Sequence, residues 1–201
     1  MNSTITYDAA FVQRVSGYFQ QFMDLTVEDM RELMRYCEFR QFEKKSMIIQ
    51  PGELDDYLNL VVNGLVMKYL KVGKRQFTLQ LATEGHVVSA EISFLSRQPA
   101  MVYIETLEPT LMISLKHSQM EAALENFPRG EELGRKILEN MYCRKDERKF
   151  AWQAMGVRER FMHYIEQHRH MLQRVPQKYL ASYLNIKPET FSRLKHLTRK
   201  R

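Results

Sequence analysis

Long apolar runs are missing from this 201-residue chain; none approaches the ~18 residues that a membrane-crossing helix requires. Cysteine is nearly absent. Cys37 and Cys143 stand far apart, without metal-like spacing, which argues against a disulfide framework and points to a reducing compartment. An iron–sulfur sensor is excluded too, because it needs about four cysteine ligands. The six histidines are scattered, and His168 and His170, two residues apart, would face opposite sides of a helix. No Gly-rich phosphate loop, nucleophile elbow or paired catalytic set occurs, so the chain reads as a non-enzyme with no cofactor and no metal. The lack of a His/Glu cluster on the strands also speaks against an enzyme of the cupin type. The opening Met-Asn-Ser-Thr-Ile-Thr-Tyr-Asp has no signal-peptide pattern, so a cytoplasmic protein with no membrane partner is expected. Low-complexity linkers and repeats are missing as well.

What is present divides by charge. Residues 134–201 hold 17 Lys+Arg against 6 Asp+Glu, a net of +11, whereas residues 1–133 carry a net of −5. A basic C-terminal third on an acidic body is the electrostatic footprint of a nucleic-acid binder. Apolar residues make up 44% of the chain, enough for a packed core. Residues 8–22 place Phe11, Val15, Tyr18, Phe19 and Phe22 at helical spacing, and Thr26 opens a second short helix. From Glu38 the period changes. Alternating runs at 38–42, 46–50, 57–62, 65–71, 75–82, 86–90, 101–107 and 110–115 lie between turns at Pro51-Gly52, Asn63-Gly64, Gly73 and Gly85. About eight short strands at this spacing predict a small sandwich or barrel. Residues 118–155 are mostly helical, with Pro128 resetting the helix. Residues 157–172 predict one further helix with Val157, Phe161, Tyr164, Ile165 and Leu172 facing in.

The segment 175–197 reads as two helices and a turn. Pro176 suits a helix start. Leu180 and Leu184 share one face, beside the small Ala181 that permits a close helix crossing. Asn185 tolerates the left-handed turn, and Pro188 opens a second helix with Glu189 near its positive end. Phe191 and Leu194, and with them Leu197, turn inward. A helical hairpin in an all-α domain fits the pattern alone; the charge distribution favours DNA.

Asn-Ile-Lys-Pro-Glu-Thr-Phe-Ser-Arg-Leu, residues 185–194, resembles the recognition segment of the cyclic-AMP receptor protein/FNR (Crp/Fnr) family of bacterial transcription regulators. The Glu189–Arg193 core carries most of the resemblance. The run from Arg174 to Arg193 is most similar to the Bacteroidetes-type subgroup. The glycine turns of 38–115 resemble that family's cyclic-nucleotide-binding β-roll. The resemblance implies an α+β architecture with a roll-shaped (jelly-roll-type barrel) sensor at 1–127, a connecting dimerisation helix at 128–155 and a helix-turn-helix DNA-binding domain at 156–201. It implies a homodimer on a pseudo-palindromic site in double-stranded DNA, with RNA polymerase as a partner. In this reading the dimer helix meets its twin through Leu133, Ile137, Met141 and Arg144, a seam that becomes polar at Arg144 and Arg148. An alternative is a β-roll ligand sensor that acts through a protein partner, its DNA motif degenerate.

In relatives that bind cyclic AMP, a Glu contacts the ribose and an Arg the phosphate. The corresponding residues here are Ser89, Glu91 and Ser93, then Gln98 and Pro99. Glu91 matches; the Arg has become Gln98 and the following Ser is Pro99. A buried cyclic phosphate needs a cation or aimed N–H donors, so cyclic AMP is not the expected ligand. The effector is a different, apolar ligand or none. Arg97 is one residue off, which on a strand would point it to the other face. For DNA, Arg193 can read guanine and Glu189 cytosine, with Thr190 beside them; an ordinary Glu189–Arg193 surface ion pair is the plainer reading of that spacing. Gln177, Lys178, Lys187, Lys195 and Arg199 are phosphate candidates, with Lys200 and Arg201. The β-hairpin wing typical of the family is expected to be absent or vestigial.

Overall fold

A computed structural model of the chain describes residues 9–197. Arg199, Lys200 and Arg201 lie outside the described residues, and so do the side chains of Phe11 and Leu197. Two helices lead in, α1 (Ala9–Gln20) and α2 (Val27–Met34). Thr26 begins α2 with a reciprocal cap: its hydroxyl accepts the Asp29 N–H at 3.1 Å, and the Asp29 carboxylate accepts the Thr26 N–H at 2.9 Å. Eight strands follow where the alternating runs predict them: β1 (Cys37–Phe42), β2 (Met47–Ile49), β3 (Tyr57–Asn63), β4 (Val66–Val72), β5 (Arg75–Ala82), β6 (Val87–Val88), β7 (Tyr103–Thr106) and β8 (Thr110–Lys116). They form two antiparallel four-stranded sheets, ordered β1-β8-β3-β6 and β2-β7-β4-β5. The hairpin between β3 and β4 turns on Gly64, at φ +110°. A Cβ there would come within 2.8 Å of Pro109 and Thr110, so only glycine fits.

Between the sheets lies a core of Ile49, Val61, Val66, Ala82, Val88, Ile104 and Met112. Strand alternation sends the neighbouring residues outward on both sides. Leu60, Val62 and Ile113 meet Val15, Phe19, Phe22 and Leu33 of the leading helices, together with Phe127 and Leu133. Leu65, Met67, Tyr69 and Leu81 meet the C-terminal helices. Each sheet is thus buried on both faces, one under the N-terminal and connecting helices and the other under the C-terminal ones.

A six-residue helix, α3 (Glu91–Ser96), interrupts the strands where the sequence shows only alternation. After β8 come α4 (His117–Asn126) and, past Pro128, α5 (Gly130–Ala154). The rest is α6 (Val157–Gln167), α7 (Met171–Arg174), α8 (Gln177–Tyr183) and α9 (Pro188–Leu197). The single helix expected over 157–172 is two. The first ends at His168 with φ −129°, and the chain re-enters a short helix at Met171. His168 and His170 therefore lie between helices, their rings 6.2 Å apart. Val157, expected inside, is 41% exposed at the start of α6.

The α5 face also differs from expectation. Leu133 is only 4% exposed and packs with Ile137 against the roll and α1. The apolar side chains that α5 leaves open lie one residue round the helix, at Leu138 (51%) and Tyr142 (67%), with Phe150 further on. Met141 is half-buried and Arg144 exposed.

Candidate functional site

Residues 89–99 form a short helix with a left-handed exit. Asp55, 1% exposed, holds the segment in place: its carboxylate accepts the Ala90 N–H at 2.6 Å and the Tyr57 N–H at 3.1 Å, and its own N–H donates to Ser93 Oγ at 2.9 Å. Burial pushes the Asp55 carboxyl above its ordinary value, and these two N–H donors oppose the rise. Arg97 is the C-cap of α3 at φ +57°. The expectation that strand alternation aims it away is therefore replaced by a different cause: its guanidinium is engaged by the Asp56 carboxylate and, at 3.3 Å, by the Asp55 carbonyl.

Glu91, the residue matching a ribose contact, is already occupied. Lys68 Nζ donates to both of its oxygens, at 2.6 and 2.7 Å, and to the Ser89 carbonyl at 3.0 Å. Those three bonds use all three ammonium protons. Burial alone would raise the Glu91 carboxyl, but Lys68 outweighs burial and holds it below the ordinary carboxylate range. The Lys68 ammonium is pulled down by burial and kept charged by the same partner. Lys145 of α5 adds a looser contact with Glu91, at 3.5 Å. Sequence reasoning does not single out Lys68; its one signal is a lysine inside the apolar run Leu65–Leu70. Gln98 and Pro99 are exposed, so no donor in this segment replaces a phosphate-binding arginine. The Ser89 Oγ is buried without a hydrogen-bond partner among the described residues.

Two cavities flank α5. One, about 780 Å³, lies over the sheet that contains β3 and β8 and is lined by apolar side chains of α1, α4 and α5, with Ser89 and Glu91 at one end. The other, about 700 Å³, separates the roll from α5, α6 and α8.

At the C-terminus, α8 and α9 are joined by a turn in which Asn185 adopts φ +53°. Leu180, Ala181, Leu184, Ile186, Phe191 and Leu194 are all buried in one core with Phe161 and with Met67 and Leu81 of the roll. The Phe161 and Phe191 rings meet edge to face at 5.1 Å. Arg160 donates to the carbonyls of Trp152, Met155, Leu184 and Asn185, which closes the ends of α5 and α8. Burying the inner face leaves the outer one to polar residues: Glu189, Arg193 and His196 of α9 are exposed, as are Gln177, Lys178 and Lys187. Thr190 and Lys195 are half-buried. Arg193 approaches Thr190 Oγ1 at 3.4 Å rather than pairing with Glu189.

Roll and C-terminal helices are tied by polar contacts as well as by the shared core. Arg174 donates to Glu84, to Glu108 and to the Gly64 carbonyl, at 2.7–3.2 Å. Ser182 Oγ accepts the Thr78 N–H at 2.8 Å. Among the described residues no group of three or more His, Cys, Asp or Glu side chains could hold a metal ion, and no helix is long and apolar enough to cross a membrane.

Residues 39–127 match the family model of the cyclic nucleotide-binding domain. No curated protein sequence matches the chain. Among solved structures, the c-di-GMP responsive global regulator CLP of Xanthomonas campestris is similar over 87% of this chain and 93% of its own, at 14% identity and a TM-score of 0.65. FixK2 from Bradyrhizobium japonicum is similar over 82% and 85%, at 19% identity and 0.64. The catabolite activator protein of Thermus thermophilus is similar over 89% and 86%, at 20% identity and 0.57. The roll of this chain thus matches the cyclic nucleotide-binding domain, and the chain as a whole shares its fold with these regulators.

Proposed function

We propose that the protein is a DNA-binding transcription regulator of the Crp/Fnr type, working as a homodimer and not responding to cyclic AMP. The observation that carries the reading is the surface of α8 and α9. Its apolar side is consumed by the core, while Arg193 and Glu189, four residues apart, stand exposed on a C-terminal third of net charge +11. Arginine presents a bidentate donor to guanine O6/N7, and glutamate accepts from cytosine N4. Lys178 and Lys187 supply phosphate contacts, Gln177 adds a neutral one, and Lys195 and Arg199 extend the set. An arginine common in the family just before the Glu is Pro188 here, so the target sequence differs from the best-known one. The fold shared with regulators from three bacteria supports the assignment of class and of a non-enzymatic role.

Cyclic AMP is disfavoured because Glu91 and Lys68 satisfy each other and Gln98 and Pro99 bring no charge. Calorimetry with cyclic AMP and cyclic GMP should register no micromolar binding; a micromolar constant for either contradicts this part. DNA binding is tested by fluorescence anisotropy across a salt series. The logarithm of affinity should fall by about 0.9 for each phosphate contacted per unit of log salt. A flat response overturns the DNA reading and leaves the roll as a sensor acting through a protein partner.

A further inference from the structure

The cavity between the roll and the C-terminal helices is walled by cations that no carboxylate neutralises. Its volume, about 700 Å³, is that of a small-molecule site. On the α5 side stand Arg144 and Arg148, four residues apart and so neighbours on one helix face. Among the described residues, neither has a carboxylate partner. Arg144 meets only the Gln21 side-chain oxygen, at 3.2 Å. Arg148 lies against the Trp152 and Tyr183 rings, at 4.4 and 4.0 Å, and donates to the Thr78 and Tyr183 carbonyls. Its Nε is buried and has no acceptor. A buried guanidinium N–H left unmatched is costly. Lys145 borders the same space, and Arg160, His86, His163 and His168 add to it.

Two carboxylates also line the cavity. Glu91 is held by Lys68, and Glu147 is exposed. They do not cancel the field, which registers on the histidines. Burial first and then Arg144 push the His86 imidazole down to about 4, and burial, His170 and Arg144 lower His168. Tyr164 and Trp152 give the same cavity flat apolar surface.

We propose that this cavity binds an organic phosphate bearing a planar ring, its phosphate taken by Arg144, Lys145 and the free Nε–H of Arg148 and its ring set beside Tyr164 and Trp152. The site is separate from the 98–99 segment of the roll, which does not line it. Because its walls come from the roll, α5, α6 and α8 together, a ligand there bears on how the C-terminal helices sit against the roll. The proposal concerns the protein alone and stands or falls independently of DNA binding.

Trp152 is the chain's only tryptophan, so its fluorescence reports occupancy. The full chain is titrated with AMP, ATP and adenosine, with calorimetry in parallel. AMP and ATP should change the Trp152 signal and release heat; adenosine, lacking the anion, should bind at least about tenfold more weakly. Arg144→Gln and Lys145→Gln alter exposed side chains and should keep the melting temperature while weakening AMP about tenfold or more. Lys74→Gln, a charge removed on the β4–β5 turn, should change nothing. The proposal is overturned if AMP and ATP fail to bind at about millimolar concentration. It is equally overturned if adenosine binds as well as AMP, or if Lys74→Gln weakens binding as much as Arg144→Gln does.

Discussion

Lys68 and Glu91 decide at a single position what the roll can accept. A buried ion pair adds little net stability, but removing one partner strands the other charge. Lys68→Met should therefore cost about 3 kcal/mol, and Lys68→Met with Glu91→Leu should recover most of it. Urea unfolding measures both; a double variant no more stable than the single one removes the pair as the cause. His86 sets a pH dependence. Its folded value is about 4 against an ordinary 6.5, so the unfolded chain takes up a proton first as the pH falls. The stability that comes from keeping His86 neutral is complete above about 6.5 and drains away between 6.5 and 4. In thermal melts, His86→Gln should flatten the loss over that window by about 2 kcal/mol relative to the parent. An unchanged slope would place the acid sensitivity elsewhere.

The elements themselves were largely legible from residue order, because two periods leave clear marks. Strand alternation between glycine turns located all eight strands, and Thr26, Pro128, Asn185 and Pro188 marked helix ends through their backbone preferences. The failures have physical causes. The segment Ala90–Ser93 alternates like a strand, and six residues are too few to display a helical period, so α3 was hidden, and with it the true setting of Arg97. No glycine or proline announces the break at His168. Along α5 two apolar stripes lie side by side, Leu133-Ile137-Met141 and Leu138-Tyr142, and spacing cannot say which one the roll takes. The Lys68–Glu91 pair joins residues 23 positions apart, and no local pattern encodes it. The stripes are separable by experiment. Leu133→Ala should destabilise the monomer fold by about 2–5 kcal/mol. Leu138→Glu with Tyr142→Glu should leave the melting temperature nearly intact and halve the mass seen by light scattering. Retention of full dimer mass would move the proposed interface off this face.

At the scale of the whole molecule, the C-terminal helices are not a free module: their core is continuous with the outer face of β4 and β5, and Arg174 bridges two roll carboxylates across the junction. Arg174→Ala should speed hydrogen exchange in α8 and α9 well beyond any change in the roll, since it leaves Glu84 and Glu108 without their shared cation. Equal acceleration in both parts would mean a global loss of stability instead. The docking leaves the polar face of α9 outward, and the central claim is that this face reads DNA. Selection of binding sites from random duplexes, with the parent chain, Arg193→Ala and Lys187→Ala, tests that claim most directly. The parent should select a pseudo-palindrome with half-sites about one helical turn apart, roughly 34–36 Å. Arg193→Ala should lose about 1–3 kcal/mol and relax one base position in each half-site, and Lys187→Ala should weaken all sequences alike. A motif unchanged by Arg193→Ala, or no selected motif at all, would contradict the account.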